Sequence, residues 1–274
     1  MTLYTAGAIL WAWLDISRGR FWSGKSINEP VIEALTKSNQ RILVTGGTGF
    51  IGRPLCQAFI NQGHSVTVLT RNINNAAAQF RGRITFIESL DLLKDSDEFD
   101  IVINLAGEPI SQRWSESARR KIIESRVNTT SALVEFIKRS QRKPSVFISG
   151  SAIGIYGTDE EKKFSETTQS VNDLIGQYPR TICEQWEAVA KEMESFHVRT
   201  CLLRTGVVLE IDGGALAQML FPFGFCLGGR MGSGNQWFSW IHREDLIRLI
   251  VHLINNDDIS GPVNATAPEP VTNK

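Results

Sequence analysis

The segment Thr45-Gly46-Gly47-Thr48-Gly49-Phe50-Ile51-Gly52 constrains this chain more than any other. It follows a short branched apolar run, Ile42-Leu43-Val44. It precedes an amphipathic stretch with Leu55, Phe59 and Ile60 that stops at Gly63, and a second apolar run, Ser65 to Leu69, comes next. Strand, glycine turn, helix and strand in that order form the context in which a glycine fingerprint carries meaning. Gly46, Gly49 and Gly52 have GxxGxxG spacing, and Gly47, Gly49 and Gly52 also fit GxGxxG. Glycine permits the tight turn, lets backbone approach a pyrophosphate and lets the helix pack on the sheet. The helix N-terminus then offers free amides and the positive end of its dipole to phosphate. The competing reading is a glycine-rich packing turn in the same kind of fold without a ligand.

The alternation continues along the chain. Ile84–Ile87, Asp100–Gly107, Ser145–Ile148 and Thr200–Arg204 read as further strands. Ser115–Arg139 reads as a long helix, with apolar residues at Ile122, Ile123, Val127, Leu133, Val134 and Ile137, and Thr181–Phe196 as another. An apolar helix follows His242-Arg243-Glu244-Asp245. Strands alternating with helices predict an α/β fold, a doubly wound parallel sheet of Rossmann type covered on both faces.

The end of the second strand bears on the dinucleotide. An acid there would bond ribose hydroxyls; an arginine would receive a 2′-phosphate. Thr70-Arg71-Asn72 has no acid, so Arg71 favours NADP (NADPH) over NAD through a forked, charge-assisted contact. Arg53 has two readings, the same phosphate or a solvated helix position.

The 274 residues carry 29 basic and 29 acidic side chains, a net charge of zero. A nucleic-acid partner would call for a basic excess, so none is expected. Cys56, Cys183, Cys201 and Cys226 share no CxxC spacing, which predicts no metal site and reduced thiols in a cytoplasmic protein. Residues 1–40 form an unassigned extension before a domain over 41–274. Met1 to Leu14 carry no charge but are too short to span a bilayer as a helix, which needs ~20 residues. Trp11, Trp13 and Trp22, with Arg18 and Arg20, leave two readings for residues 1–22: packing on the body or a partner chain (self-association), or contact with a membrane surface. Glu29-Pro30 predicts a short helix to about Leu35, and Lys37–Gln40 a polar linker.

With these pieces in place, the chain resembles the short-chain dehydrogenase/reductase superfamily in its extended, epimerase-like branch. The resemblance rests on TGGTGFIG (Thr45–Gly52), NLAG (Asn104–Gly107), SGSAIGIYG (Ser149–Gly157) and the asparagine of RVNTT (Arg126–Thr130). Gly213–Ala217, Leu227–Gly229, Gly232–His242 and Asn264–Pro268 narrow it to the atypical NADP-dependent epimerase-family subgroup, which has bacterial and human members. The resemblance implies NADP(H) on the carboxyl edge of the sheet, against Gly46, Thr48, Gly49, Phe50, Ile51, Gly52, Arg71, Leu105, Ala106, Gly107 and Ser149. It also implies a small substrate lobe with segments at about 205–243, in a chain that stops at Lys274, where the subgroup usually continues.

Superfamily reductases pair a serine that holds the substrate oxygen with a tyrosine acid/base and a lysine four residues on. Ser151 matches the serine, with Ser149 a second candidate. Tyr178 stands where the tyrosine belongs, but Ile182 replaces the lysine. An unassisted phenol is a poor base at neutral pH, so an aromatic packing role competes with catalysis. Asn128 matches the superfamily's helix asparagine, against a plain helix polar residue facing the bend. Tyr156, Arg204, Gln236, Trp237 and His242 are candidate contacts for a small-molecule substrate of unknown identity, with a structural histidine the rival reading for His242. In this topology Arg113 points toward the cofactor edge, Trp114 has two readings, stacking on a ligand or packing in the core or loop, and His64 and His197 read as capping or surface residues. The expectation is an NADP(H)-binding oxidoreductase or epimerase-like protein; the alternative is a dinucleotide-sensing or interaction module without turnover.

Overall fold

A computed structural model describes residues 33–274 except 83, 172–176 and 231. The strands, in chain order, are β1 (Arg41–Thr45), β2 (Ser65–Leu69), β3 (Ile84–Ile87), β4 (Ile101–Asn104), β5 (Val146–Ala152), β6 (Arg199–Thr205), β7 (Val207–Glu210), β8 (Trp237–Phe238), β9 (Trp240–His242), β10 (Gly261–Ala265) and β11 (Val271–Thr272). The helices are α1 (Gly52–Asn61), α2 (Ile73–Ala77), α3 (Glu116–Arg139), α4 (Gln177–Lys191), α5 (Gly214–Gly224) and α6 (Arg243–Asn255). Seven strands form one parallel sheet in the order β10-β6-β5-β4-β1-β2-β3. The doubly wound Rossmann-type fold is therefore present.

Side chains on β1 alternate between two cores, as a pleated strand requires. Ile42 and Val44 pack with Leu55 and Phe59 of α1 and Leu246 and Ile250 of α6. Leu43 joins Val102, Phe147, Leu133 and Phe136 on the other face, beneath α3. Both faces of the central strands are buried, which is why they read as unbroken apolar runs. Ser115 starts α3 by accepting the Ala118 amide at 3.3 Å, while Lys138 and Arg139 sit in its last turn, where the dipole favours cations.

Some boundaries differ from the sequence reading. β5 runs on to Ala152, because Ser149–Ala152 pair in register with Leu202–Thr205. α4 begins at Gln177 and ends at Lys191, followed by a 3-10 turn over Glu192–Phe196. No helix forms over Glu33–Leu35. There the Leu35 amide donates to Gln62 Oε1 at 3.3 Å, and Asn255 Nδ2 donates to the Ala34 carbonyl at 3.1 Å. These groups are bonded to the ends of α1 and α6 rather than to one another. His64 is buried rather than on the surface, with Nδ1 accepting the Gln40 amide at 3.1 Å. Three cysteines are buried and Cys226 is exposed. The tryptophans and arginines of residues 1–22, and the start of the expected helix at Glu29-Pro30, lie outside the described residues. Among the described residues no helix is long and apolar enough to cross a membrane.

Two small pairings and α5 lie beyond β6. β7 pairs with β9 in parallel, and β8 pairs with β11 in antiparallel fashion.

Candidate functional site

β1 has β2 on one side and β4 on the other, so the strand order reverses between β1 and β4. Open α/β sheets bind ligands outside the carboxyl ends of the strands at such a switch point. The glycine turn lies there. Gly46 has φ +71°, and a Cβ on it would stand 2.5 Å from the Leu105 carbonyl oxygen. A Cβ on Gly52 would stand 2.3 Å from the Gly46 carbonyl oxygen. The Gly49 amide donates to that same oxygen at 3.0 Å and closes the turn that carries Thr48. Ile51 begins α1 with no side-chain cap and no acid in the first turn. The Arg53 amide donates to the Gly49 carbonyl at 3.0 Å and Pro54 has no N–H, so among the described residues the Ile51 and Gly52 amides are the ones left for an anion. Phe50 lies over Gly213 and Gly214 and beneath the guanidinium of Arg243, 4.8 Å from its ring centroid. Across the switch point, Leu105 and Ala106 donate their amides to Thr45, to the carbonyl at 3.1 Å and to Oγ1 at 3.3 Å. Gly107 follows on the same edge. This bare-backbone cradle fits a dinucleotide.

Arg71 stands exposed just past β2 and makes no ion pair among the described residues. Beside it Asn72 caps α2, accepting the Asn75 amide at 2.9 Å.

A second constellation occupies the ends of β5, β6 and β10. Ser151 Oγ donates to Glu187 Oε1 at 2.7 Å. Arg204, next to Ser151 in the β5–β6 register, grips the same carboxylate through Nε at 2.9 Å and Nη2 at 3.0 Å. Arg204 Nη1 donates to the Tyr156 hydroxyl at 2.9 Å, and Tyr156 donates to Asn264 Oδ1 at 2.7 Å. Burial works against the charge on Arg204, but Glu187 and Tyr156 outweigh it and hold the guanidinium protonated. Ser149 is fully buried on the same strand, with its hydroxyl donating to the Gly150 carbonyl at 3.2 Å.

The structure separates the remaining candidates. Tyr178 donates its hydroxyl to the Arg119 carbonyl at 2.7 Å and packs edge-on against Trp114, with centroids 5.2 Å apart. Burial raises its pKa. Asn128 is exposed on α3, and its side chain makes no hydrogen bond among the described residues. The inward residues of that segment are Arg126 and Thr130; Thr130 Oγ1 accepts from Asn104 Nδ2 at 2.8 Å. His242 caps α6, its Nδ1 accepting the Glu244 amide at 3.3 Å, and its Nε2 lies 3.4 Å from Glu210 Oε2. Trp237 is exposed, with Nε1 donating to the Glu160 carbonyl at 2.7 Å. The carbonyl of Gln236 accepts the Asn273 amide at 3.2 Å. Thus Ser151, Tyr156 and Arg204 are brought together, Gln236 and Trp237 lie on a separate pairing, and Tyr178 and Asn128 sit apart.

Residues 42–209 match the NAD dependent epimerase/dehydratase family. The chain belongs to this family. It is an extended short-chain dehydrogenase/reductase of epimerase type. An epimerase family protein SDR39U1 homolog, named as chloroplastic, from Arabidopsis thaliana is 40% identical over 241 residues, covering 86% of this chain and 68% of that protein. Epimerase family protein YfhF of Bacillus subtilis is 37% identical over 234 residues, covering 85% and 76%. The crystal structure of human epimerase family protein SDR39U1 (isoform 2) with NADPH superposes with TM-score 0.72 at 32% identity, over 85% of this chain and 76% of that one.

Two residues that the structure brings inward are not among the sequence candidates. Glu187 lies on the buried face of α4, at a spacing from Cys183 and Ala190 that places it there. Arg126 lies on the inward row Ile122, Arg126, Thr130, Leu133, at the i, i+3 and i, i+4 spacings that define a helix face, whereas Asn128 is off that row. Cys183 lies nearby, and burial pushes its thiol up to about 11, so it is no nucleophile at neutral pH.

Proposed function

We propose that this chain binds NADP(H) across the Gly46–Gly52 turn and acts on a small-molecule substrate beside Ser151, as an oxidoreductase or an epimerase. The observation that carries the reading is the cradle at the switch point. Two glycines there have no room for a side chain, and the Ile51 and Gly52 amides at the start of α1 have no acceptor among the described residues. The human relative whose structure was solved with NADPH supports the choice of dinucleotide. In this reading Gly46, Thr48, Gly49, Phe50, Ile51 and Gly52 take the pyrophosphate, Leu105–Gly107 and Ser149 lie along the dinucleotide, and Arg71 takes the 2′-phosphate. When bound, the nicotinamide supplies or receives the hydride.

The protein's own part is binding and orientation. Ser151 gives its one proton to Glu187, so its lone pairs are what remain to accept from a substrate hydroxyl. Tyr156 and Arg204 form the wall beside it. The segments at about 205–243, with Gln236, Trp237 and His242, form the substrate lobe. Titration with NADPH and NADH, followed by nicotinamide fluorescence, tests the reading. Tighter NADPH binding is expected; equal or absent responses overturn it.

One observation favours a second reading, binding without turnover. The Tyr178 phenol is tied to a backbone carbonyl, and Ile182 stands where a lysine would lower its pKa. Oxidation of NADPH by a panel of carbonyl and nucleotide-sugar compounds decides between them, since a sensor binds and leaves every compound unreduced.

A further inference from the structure

Among the described residues, the buried and half-buried arginines nearly all lie against a carboxylate. Arg41 holds Asp100, Arg180 lies beside Glu184, Arg199 meets Asp257, Arg204 grips Glu187 and Arg243 grips Asp212. Arg126 does not. Its Nη1 spends both protons on backbone, donating to the Ile122 carbonyl at 2.9 Å and the Glu108 carbonyl at 3.1 Å. Nη2 and Nε have no acceptor among the described residues. A half-buried cation without a counter-charge is costly, and burial lowers its pKa accordingly.

The surroundings show what the free edge faces. The guanidinium lies flat against the bare Cα of Gly107, where a Cβ would stand 2.9 Å from Cζ and 3.0 Å from Nη2. The ring of Trp186 also packs on the guanidinium, its centroid 5.3 Å from Cζ. The Trp186 indole N–H is buried and, among the described residues, is the one such side-chain atom with no partner. The neighbouring titratable groups are the Cys183 thiol, the Tyr178 phenol and the Glu108 carboxylate, and the last lies beyond ion-pair distance. The mount is rigid. One turn on, Thr130 donates to the Arg126 carbonyl at 2.7 Å and accepts from Asn104 of β4. Nη2 and Nε together make the side-on fork that matches two oxygens of a carboxylate or phosphate.

We propose that Arg126 recognises an oxyanion of the substrate, a carboxylate or phosphate held at the Nη2–Nε edge of its guanidinium, and so selects anionic substrates. The inference rests on the dinucleotide reading above. It assigns the guanidinium to the substrate rather than to the cofactor's pyrophosphate because Arg126 stands on the α4 side of Gly107. That is the side of Trp186 and of Glu187, which bonds Ser151, whereas the Gly46–Gly52 turn follows β1, across the switch point.

The test uses the full chain and calorimetry in two arms. In the first, NADPH binds the wild type, Arg126→Met and Arg126→Lys with affinities within about threefold of one another. A loss of about tenfold or more in Arg126→Met assigns the guanidinium to the cofactor and overturns the proposal. In the second, oxalate and inorganic phosphate are titrated into each protein at saturating NADPH. At least one binds the wild type, about tenfold or more weaker to Arg126→Met, with part of the loss restored in Arg126→Lys. Absence of both from the wild type, or equal binding to Arg126→Met, overturns the proposal. If NADPH itself fails to bind the wild type, the dinucleotide reading falls, and the same oxyanion comparison on the free protein decides the role of Arg126 separately. Arg126→Lys keeps the charge and serves as the folded reference if Arg126→Met does not fold.

Discussion

The Glu187 carboxylate accepts the hydroxyl proton of Ser151 at 2.7 Å while Arg204 grips both of its oxygens. The Glu187 and Arg204 side chains are 3% and 10% exposed, so the pair is screened little by solvent. Removing one partner strands the other as a buried charge, which costs about 3–5 kcal/mol. Glu187→Ala is therefore expected to be severely destabilised in urea unfolding. Ser151→Ala leaves the ion pair whole and should cost about 1 kcal/mol. Similar losses in the two variants would show that the carboxylate is not the hub of this cluster.

Gly46→Ala places a methyl group against the Leu105 carbonyl in a backbone conformation with φ +71°. The substitution should lower stability by more than about 1 kcal/mol and weaken NADPH by about tenfold or more, because β1, the turn and the β4 loop must part. A variant that melts and binds like the parent would remove the cradle as the site.

Arg71 is exposed and unpaired by any carboxylate among the described residues, so its charge is available to a ligand. Arg71→Glu should weaken NADPH by about tenfold while NADH changes little, a difference that belongs to charge-assisted contacts with the 2′-phosphate. Equal changes for the two nucleotides would take Arg71 out of that contact. Its surface position makes a change in melting temperature unexpected.

His64 is held neutral. Burial lowers its pKa from the ordinary 6.5, and its Nδ1 must stay unprotonated to accept the Gln40 amide. The unfolded chain therefore takes up this proton at higher pH than the folded one. The stability linked to His64 is whole above pH about 6.5 and drains as pH falls through that value toward the folded pKa. Melting temperatures measured from about pH 7.5 to pH 5 should decline in the parent and decline less in His64→Gln; parallel curves would exclude the histidine as the source.

The Tyr178 hydroxyl spends its proton on the Arg119 carbonyl, and its ring packs against Trp114. Tyr178→Phe is expected to cost about 1 kcal/mol and to leave the NADPH affinity within about twofold. A collapse of dinucleotide binding would place the phenol in the site after all.

What the sequence by itself determined is local. Alternating apolar periods set out the strands and helices of the sheet, because each element must bury one face or one stripe. The glycines of Thr45–Gly52 mark the turn, because no side chain fits where strand, turn and β4 loop meet. From those two facts the doubly wound fold and its ligand edge follow.

The tertiary structure decided which polar groups meet. Ser151 and Arg204 become neighbours through the register of β5 with β6, and α4 then lays Glu187 against both. Residues 36 positions apart, like Ser151 and Glu187, leave no shared period in the sequence for a reader to find. The same holds on α3, where Asn128 fits a motif by spelling but packing turns Arg126 and Thr130 inward. A helix repeats every ~3.6 residues, so a residue two positions along from an inward one points away from the sheet.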